Sequence, residues 1–344
     1  MALFETAVAA VAVSREKGTP KISVDSAVLR RDHGLVGDAH AGPGDRQVSI
    51  LALPGIRDME ARFGSPLGFG RFGENLVLTD AILGCRLGDL LSVGERVVLE
   101  VTAIGKECHL GCAIRQQTGD CIMPREGVFA RVVAGGTVVP GDKVRSLCPA
   151  DDLTVAILAG GRSGRFGSDK RLAQVDGRSM FEWCAEVARL VSPNVLVSLA
   201  AGDRFQLPPG FVPVFDAEPD IGPLAGILAC LRAARTGRVV FIPVDMPMVS
   251  VDHIKFLAAR CDGAGVAFRN GDRMLPLPAC YDRGALGDLE SALANGDRSL
   301  GVASARAGVS FLDASRFRDE GVSDRWLCNV NTPADLAAVS SSQT

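Results

Sequence analysis

The residues best suited to hold a polyphosphate lie in a glycine-rich loop, LAGGRSGRFGSDK, at residues 158–170. Glycines let backbone N–H groups approach phosphate oxygens closely, because no Cβ intervenes. Arg162, Arg165 and Lys170 add the positive charge that phosphate groups attract. For such a loop standing alone, a solvated and inert turn is the favoured interpretation.

Spacing excludes two common phosphate-binding loops. A Walker A loop ends in Gly-Lys-Ser/Thr, whereas Lys170 follows Asp169 and precedes Arg171. The dinucleotide fingerprint G-x-G-x-x-G does not fit either, because the glycines recur at every third residue after Gly161. The loop therefore needs other residues around it before it can be assigned.

A carboxylate and a helix start stand where they could complete such a site. Asp245 follows a hydrophobic run at residues 239–244, and a carboxylate at a strand end is well placed to hold Mg²⁺ on nucleotide phosphates. Gly222 and Pro223 open a helix after Asp216 and could bring backbone close to a base or ribose. A turn aspartate and an ordinary helix start are the alternative interpretations.

The first half of the chain carries a cluster of thiols. Cys108 and Cys112 flank His109, and Cys121 follows. Such a cluster could bind a soft metal such as Zn²⁺, ligate molybdenum or carry a persulfide sulfur. The spacings are not those of a standard zinc pair, and buried, inert thiols are the alternative.

A polar set lies beside two predicted strands of the same half. Arg46 opens one strand, and Arg71, Glu74 and Asn75 precede another. Two arginines at strand ends could clamp an anionic ligand, whereas isolated surface charges are more often solvated.

The elements that must position these residues change in character along the chain. Up to about residue 144, short apolar runs alternate with Gly, Asp and Pro, which predicts a mostly β, barrel-like domain. Its predicted strands are 8–13, 48–53, 76–79, 96–104 and 129–133, with a helix at 56–63.

From residue 153 onward, buried strands alternate with amphipathic helices, which predicts an α/β domain with a mainly parallel sheet covered on both faces. Its predicted strands are 155–159, 195–199, 212–215 and 239–244, and its predicted helices are 179–190, 223–234 and 253–260. We therefore expect domains at 1–146 and 153–339, a linker at 147–152 and a mobile tail at 340–344.

Composition excludes several classes of function. The 344 residues are 47% hydrophobic and 5% aromatic, with 37 Lys and Arg against 40 Asp and Glu. Such a chain buries real cores but lacks the basic field and the stacking platforms that nucleic acid requires. No apolar window reaches the ~20 residues of a membrane span, and the N-terminus does not resemble a secretory signal. We expect a cytoplasmic protein with reduced cysteines.

The second half resembles the molybdenum cofactor guanylyltransferases, the bacterial MobA family, whose signature L-A-G-G-x-S-x-R-x-G-x-D-K matches the glycine loop. Five further segments match in the family's order: VFDAEPDIGPLAGI, PVDMPMV, MLPLPACY, GDRSL and CNVNTPADL. The resemblance implies a Rossmann-like nucleotidyltransferase that transfers GMP from GTP to molybdopterin, with Mg²⁺ as cofactor and pyrophosphate as leaving group.

The resemblance also implies the site residues. Lys170 and Arg165 would hold the triphosphate, and Asp245 would bind Mg²⁺. The implied nucleotide contacts are Leu158, Ala159, Gly160, Gly161, Lys170, Asp216 and Asp245, and the implied substrate crevice contains Gly222, Pro223, Asn329 and Asn331. Many family members carry Asn just after the second strand, where this chain has Ala200 and Ala201.

The cytidylyltransferase sister family is the alternative within the same class. Its loop tends to be L-A-A-G and its metal motif D-Q-P. This chain has Gly160 as the third loop residue and Met246 after Asp245, which favours GTP over CTP.

The first half, roughly residues 4–144, resembles the short bacterial MOSC domains, a family also found at the C-terminus of molybdenum cofactor sulfurases. GLVGDAHAG, RQVSIL, GRFGENL and CIMPREGVFARVVAGGTVVPGD carry the resemblance. It implies a β-rich fold that binds the molybdenum cofactor, with sulfur or molybdenum on a cysteine. The candidates are Cys112 and Cys108 first, then Cys121, with Arg46, Arg71 and Asn75.

Both resemblances converge on one ligand. We expect a bifunctional maturation protein whose first domain binds or delivers the cofactor while the second attaches GMP to it. Transient contacts with molybdopterin-synthesis proteins and target molybdoenzymes are expected, but no nucleic-acid or membrane partner. The alternatives are a non-catalytic cofactor carrier or chaperone, and sugar-nucleotide synthesis.

Overall fold

The computed structural model describes residues 4–82, 85–105, 120–160, 169–216, 221–314, 326 and 329–340. The chain forms two compact units, Met1–Cys148 (the first unit) and Pro149–Thr344 (the second unit). The stretch predicted as a linker, 147–152, holds the last residue of a strand and a short helix. Within the described parts of the chain, no helix is long and apolar enough to cross a membrane.

The first unit is a closed barrel of seven strands, which confirms the predicted mostly β, barrel-like class. Its sheet runs β11-β7-β8-β9-β5-β6-β1 and closes where β1 pairs with β11, while β2 adds to β1 and β10-β3-β4 form a small separate sheet. The only parallel pair described in the barrel is β5–β6. The elements are β1 (Glu5–Val13), β2 (Ile22–Val24), β3 (Ala27–Arg30), β4 (Gly34–Leu35), β5 (Val48–Ala52), α1 (Leu53–Phe63), β6 (Leu76–Leu78), β7 (Leu90–Val93), β8 (Val97–Ile104), α2 (Met123–Glu126), β9 (Val128–Ala134), β10 (Gly136–Val138) and β11 (Lys143–Leu147).

Two apolar clusters hold this unit together. Alternate residues such as Val8, Ile50 and Leu99 fill the barrel, because successive strand side chains point to opposite faces. Ile56 and Met59 of α1 belong to the second cluster, which packs outside the barrel.

The second unit is an α/β domain with a mainly parallel sheet, which confirms the predicted class. Its sheet runs β16-β15-β12-β17-β19-β18-β20; the first four strands are parallel, and β19 is antiparallel to both of its neighbours. The elements are α3 (Pro149–Asp152), β12 (Leu153–Leu158), β13 (Gln174–Val175), β14 (Arg178–Ser179), α4 (Met180–Val191), β15 (Asn194–Ala200), β16 (Phe211–Asp216), α5 (Pro223–Ala233), β17 (Arg238–Pro243), α6 (Val251–Arg260), β18 (Gly265–Asn270), β19 (Arg273–Asp282), α7 (Leu286–Ala294), α8 (Leu300–Arg306), β20 (Ser310–Asp313) and α9 (Pro333–Ser340).

Helices cover this sheet from both sides. Ala156 of β12 packs in one apolar cluster with Leu228 of α5, Leu289 of α7 and Ala303 of α8. Val155, the neighbour of Ala156, is also fully buried and points to the opposite face, where α4 contacts β12 and α6. Because both faces are covered, ligands can reach the sheet only at the ends of its strands.

Candidate functional site

The candidate site of the second unit lies at the carboxyl ends of its parallel strands. Leu158 at the end of β12 pairs with Ser198 of β15 on one side and with Pro243 of β17 on the other. Ala200 pairs with Asp216 in the same sense at the end of β16. The predicted loop and both predicted carboxylates therefore follow neighbouring strands at one edge of the sheet.

Lys170 is the centre of a contact that joins three distant segments. Its Nζ donates to Asp245 Oδ2 at 3.0 Å and to Asn331 Oδ1 at 2.9 Å. The backbone N–H of Val330 donates to the Asp245 carbonyl at 2.8 Å, which docks the Asn331 segment beside the end of β17. The structure thus brings together three residues that the sequence assigned to one site.

Asp245 is half-buried, and its two carboxylate oxygens differ in their contacts. Its side chain is 21% exposed, so it faces the solvent edge. Its Oδ1 is buried and has no hydrogen-bond partner among the residues that the structure describes. A carboxylate oxygen of this kind suits a hard cation such as Mg²⁺.

A neutral thiol packs against the backbone that directly precedes Asp245. The Cys184 thiol of α4 lies 3.8 Å from the carbonyl oxygen of Pro243 and 3.9 Å from that of Val244. Burial raises the pKa of Cys184 to about 12, and the charge of Asp245 adds to the effect. The thiol therefore stays neutral and leaves Lys170 as the charged partner of Asp245.

A side chain on Gly160 would press tightly against the neighbouring strand β15. A Cβ built on it would lie 3.0 Å from the Ala200 backbone nitrogen and 3.2 Å from the Leu199 carbonyl carbon. Both contacts are backbone, so neither can rotate away. The third residue of the L-A-G-G motif is therefore a glycine for a packing reason in this chain.

The remaining predicted residues of the second unit border the same edge. Asp216 is half-buried, and burial raises its pKa. Gly222 has φ +76°, a conformation that favours glycine, and precedes Pro223 at the first position of α5. Asn329 is exposed two residues before Asn331. Ala159 is buried.

Four predicted site residues lie outside the described residues. They are Gly161, Arg165, Cys108 and Cys112. Their assignments stay predictions from the sequence.

In the first unit, Asn75 is an internal tie. Its Oδ1 accepts from the Ser49 hydroxyl at 2.9 Å, and its Nδ2 donates to the Ala12 carbonyl at 3.1 Å and to Asp38 Oδ2 at 3.0 Å. The residue is 3% exposed. Its part in any ligand site is therefore to hold β1, β5 and β6 in register, rather than to reach outward.

The two predicted arginines lie at one end of the barrel. Arg46 precedes β5 and Arg71 precedes β6, and these neighbouring strands are parallel, so their starting ends coincide. Arg46 is exposed and lies 5.3 Å from the centre of the Phe129 ring, whereas Arg71 is half-buried.

A buried ion pair that sequence reasoning missed underlies this end. Lys21 Nζ lies 2.5 Å from Asp38 Oδ2, and both side chains are almost fully buried. Burial alone would raise the pKa of Asp38, but Lys21 and the backbone N–H groups of His40 and Ser14 outweigh it and lower the pKa. The GDAHAG segment and an isolated lysine give no sequence signal that they meet.

Cys121, the third cysteine candidate, lies in an apolar setting. It is 3% exposed and packs in the cluster that contains Ile56, Phe72 and Phe129. This placement favours the inert interpretation that was left open for it.

Asp335 is a further residue of the second-unit site that the sequence could have supplied. Its Oδ2 accepts from the backbone N–H groups of Asn331 and Thr332, each at 2.8 Å, and its own N–H donates to the Thr332 hydroxyl. The hydrogen bond from the backbone N–H of Asn331 contributes most to the lowered pKa of Asp335. The T-x-x-D pattern before α9 is a capping signal that predicts this turn.

Comparison with known proteins defines the class of each unit. The family model of the MobA-like NTP transferase domain matches residues 155–307. The MOSC domain model matches residues 37–145. The second unit is therefore a nucleotidyltransferase domain, preceded by a MOSC domain.

The relatives narrow the class. A molybdenum cofactor guanylyltransferase of Pseudomonas putida is 35% identical over 187 residues, which cover 53% of this chain and 95% of the relative. One of Ectopseudomonas mendocina is 30% identical over 189 residues, covering 54% of this chain and 91% of the relative. A crystal structure from Archaeoglobus fulgidus, that of molybdopterin-guanine dinucleotide biosynthesis protein A, matches with 25% sequence identity and a TM-score of 0.47. The match covers 55% of this chain and 97% of that one. The chain belongs to the molybdenum cofactor guanylyltransferase family.

Proposed function

We propose that the second unit transfers GMP from GTP to molybdopterin and that the first unit binds or delivers the cofactor. A terminal phosphate oxygen of molybdopterin attacks the α-phosphorus of GTP, and the bond from that phosphorus to the bridging oxygen breaks. Pyrophosphate leaves with the electron pair. The attacking phosphate is already anionic, so no residue is needed as a general base or as a covalent intermediate.

The observation that carries this proposal is the junction of Lys170, Asp245 and Asn331. The Lys170 ammonium meets the Asp245 carboxylate, 75 residues away in sequence, and the Asn331 amide, 161 residues away. All three lie at the edge where the parallel strands end. Lys170 would bind the phosphates, and Arg165 would join it. Holding two anionic phosphates in line and offsetting their charge supplies most of the catalysis in such transfers.

Asp245 fits Mg²⁺, because its Oδ1 is buried without a partner among the described residues. Across those residues no group of three or more His, Cys, Asp or Glu could hold a metal alone. This suits Mg²⁺, which is usually held by one or two carboxylates together with substrate phosphates. When bound, it would offset the charge that develops on the phosphates.

The nucleotide contacts that we propose lie around this junction. Leu158, Ala159, Gly160 and Gly161 would supply backbone against the nucleotide, and Asp216 would lie near the base and ribose. Gly222, Pro223, Asn329 and Asn331 would line the same substrate crevice. The residues Gly160 and Met246 at the positions where the cytidylyl family tends to have Ala and Gln favour the guanylyl assignment.

The decisive test is pyrophosphate release from GTP and molybdopterin. We expect Asp245→Asn and Lys170→Ala each to slow release by about 100-fold or more while the fold survives, because both act on charge at the reacting phosphates. Asp288→Asn, at an exposed carboxylate of α7, is the matched control and should keep the wild-type rate. Release by Asp245→Asn within about 3-fold of wild type would exclude the assignment. Tight cofactor binding by a wild-type protein that releases nothing would favour the carrier instead.

The first unit needs a separate readout. We propose that Arg46 and Arg71 contact the anionic cofactor, that Asn75 holds their strands in place, and that Cys112 or Cys108, rather than Cys121, carries sulfur or molybdenum. Pterin that co-purifies with the protein, measured by fluorescence after oxidation, should fall in Arg71→Ala and in Cys112→Ser, while GTP binding stays unchanged. Equal losses of pterin and GTP would indicate a single fused site.

A further inference from the structure

Arg171, the residue directly after the glycine-loop motif, makes an unusually complete set of contacts. Its Nε and Nη2 donate to both oxygens of Asp169 at 2.7–3.1 Å. Its Nη1 lies 2.5 Å from Asp203 Oδ2, and its guanidinium stacks 4.3 Å from the centre of the Phe205 ring. The side chain is only 14% exposed, so water competes weakly for these donors.

Each partner of Arg171 also organises its own segment. Asp169 accepts from the Arg171 backbone N–H at 3.0 Å and so closes the 3-10 turn Lys170–Leu172. Asp203 accepts from the Phe205 backbone N–H at 2.9 Å, and its own N–H donates to the Ala200 carbonyl at 3.0 Å. The guanidinium therefore joins the turn that carries Lys170 to the loop that follows β15.

The joined loop is anchored in the core. The Phe205 ring packs edge-on against Phe181 of α4, with centres 4.9 Å apart. The hydrogen bond from the Arg171 side chain contributes most to the lowered pKa of Asp169, so this carboxylate is charged at neutral pH. The Lys170 turn and the loop after β15 are thus each held in place, and Arg171 joins them through its ion pairs with Asp169 and Asp203.

Lys170 and Arg171, adjacent residues of the turn, therefore contact segments on opposite sides of β12. Lys170 reaches Asp245 beyond the end of β17, and Arg171 reaches Asp203 beyond the end of β15. These strands flank β12 on opposite sides. Under the proposed function the nucleotide would lie between these two contacts, so their separation would limit what fits there.

We propose that Arg171 is a positioning residue for the nucleotide: by clamping the Lys170 turn to the 200–205 loop, it sets the width of the crevice. The inference rests on the proposed function.

The test separates affinity from turnover. Arg171→Ala should raise KM for GTP about 10-fold and leave kcat within about 3-fold, because Lys170 keeps its own contacts with Asp245 and Asn331. Asp203→Ala should do the same, and the double variant should be no worse than either single one, because both remove one link. Arg171→Lys, which keeps the charge but not the planar fork, should fall between.

The control is a second arginine of the same unit with similar contacts. Arg178 of β14 pairs with Glu186 and stacks 5.1 Å from the Trp183 ring, both on α4, but its side chain is half exposed. Arg178→Ala should keep both kinetic constants. If Arg171→Ala unfolds, Asp203→Asn carries the test, since it keeps the side-chain shape and removes the charge.

The outcomes are distinct. An unchanged KM for GTP in Arg171→Ala and Asp203→Asn would overturn the clamp, and so would a fall in kcat at constant KM. A wild-type protein that binds GTP but releases no pyrophosphate would refute only the proposed function, because calorimetric titration with GTP would still compare the variants. A 10-fold weaker GTP affinity in that titration, about 1.4 kcal/mol, would support the clamp.

Discussion

We predict that the first unit loses stability as the pH rises from about 4.5 to about 7, because the carboxyl group of Glu74 is buried. Glu74 is fully buried, with Oε1 2.6 Å from the Gly70 backbone nitrogen and Oε2 3.0 Å from that of Phe72. Burial raises its pKa from an ordinary 4.5 to about 7, although these N–H donors and the charge of Lys21 act in the opposite direction.

The sign follows from proton binding. Between about pH 4.5 and 7 the folded state holds the Glu74 proton and the unfolded state has released it. Stability is therefore greatest below this window and falls as the pH rises through it. The gap between the two pKa values corresponds to about 3 kcal/mol of unfolding free energy.

The assay is urea unfolding of the full chain at several pH values, followed by far-UV circular dichroism. Both tryptophans, Trp183 and Trp326, lie in the second unit, so their fluorescence supplies an internal reference. Glu74→Gln should remove this fall in the stability of the first unit, because glutamine does not titrate. Glu16→Gln, at an exposed position, should leave it in place. A transition whose free energy stays constant across this range in the wild type, or falls equally in Glu74→Gln, would refute the reasoning.

Two further predictions concern the second unit. Gly160→Ala should cost about 1–3 kcal/mol of stability and weaken GTP binding, because its Cβ meets the β15 backbone; Gly287→Ala in α7, where a Cβ has open space, is the control in thermal melting. Asp335→Ala should lower the melting temperature of the second unit through the lost cap and slow GMP transfer several-fold, because the turn that carries Asn331 loosens. A wild-type transfer rate in Asp335→Ala would show that Asn331 needs no such support.

The core of the second unit could be predicted because each element is marked locally. The helix predicted at 223–234 is Pro223–Ala233, since proline and glycine mark its start and apolar spacing its length. Parallel strands end at one edge of the sheet, so the sequence predicts Asp245 at the same edge as Leu158. The pairing of β12 with β17, which makes their ends neighbours, is given only by the structure.

Strand β19 shows why other parts could not be predicted. It contains Pro276 and Pro278, which argue against a strand in any local pattern. In the structure both prolines fall between Leu275 and Ala279, a stretch that neither β18 nor β17 pairs. Only the neighbouring strands reveal that no ladder hydrogen bond is lost there.

Charged pairs escaped prediction for a related reason. Lys21 and Asp38, and likewise Arg171 and Asp203, are distant in sequence and follow no helical or strand period. A charge has no fixed partner until the fold supplies one, because most are solvated in isolation. The sequence marked Arg171 only as the residue that excludes a Walker A loop.

The contact between Lys170 and Asp245 gives the Asp245→Asn experiment a second, independent reading. In this structure the ammonium offsets the carboxylate, so neither charge stands alone at the half-buried edge. If Lys170 binds the phosphates of a nucleotide, Asp245 loses its charged partner. A cation bound to Asp245 would then balance the charge of the carboxylate. Removing the carboxylate frees Lys170 at once, so Asp245→Asn should bind GTP without Mg²⁺ no more weakly than the wild type although its turnover collapses. A parallel loss of Mg²⁺-free binding would mean that Asp245 supports the fold of the crevice rather than its charge balance.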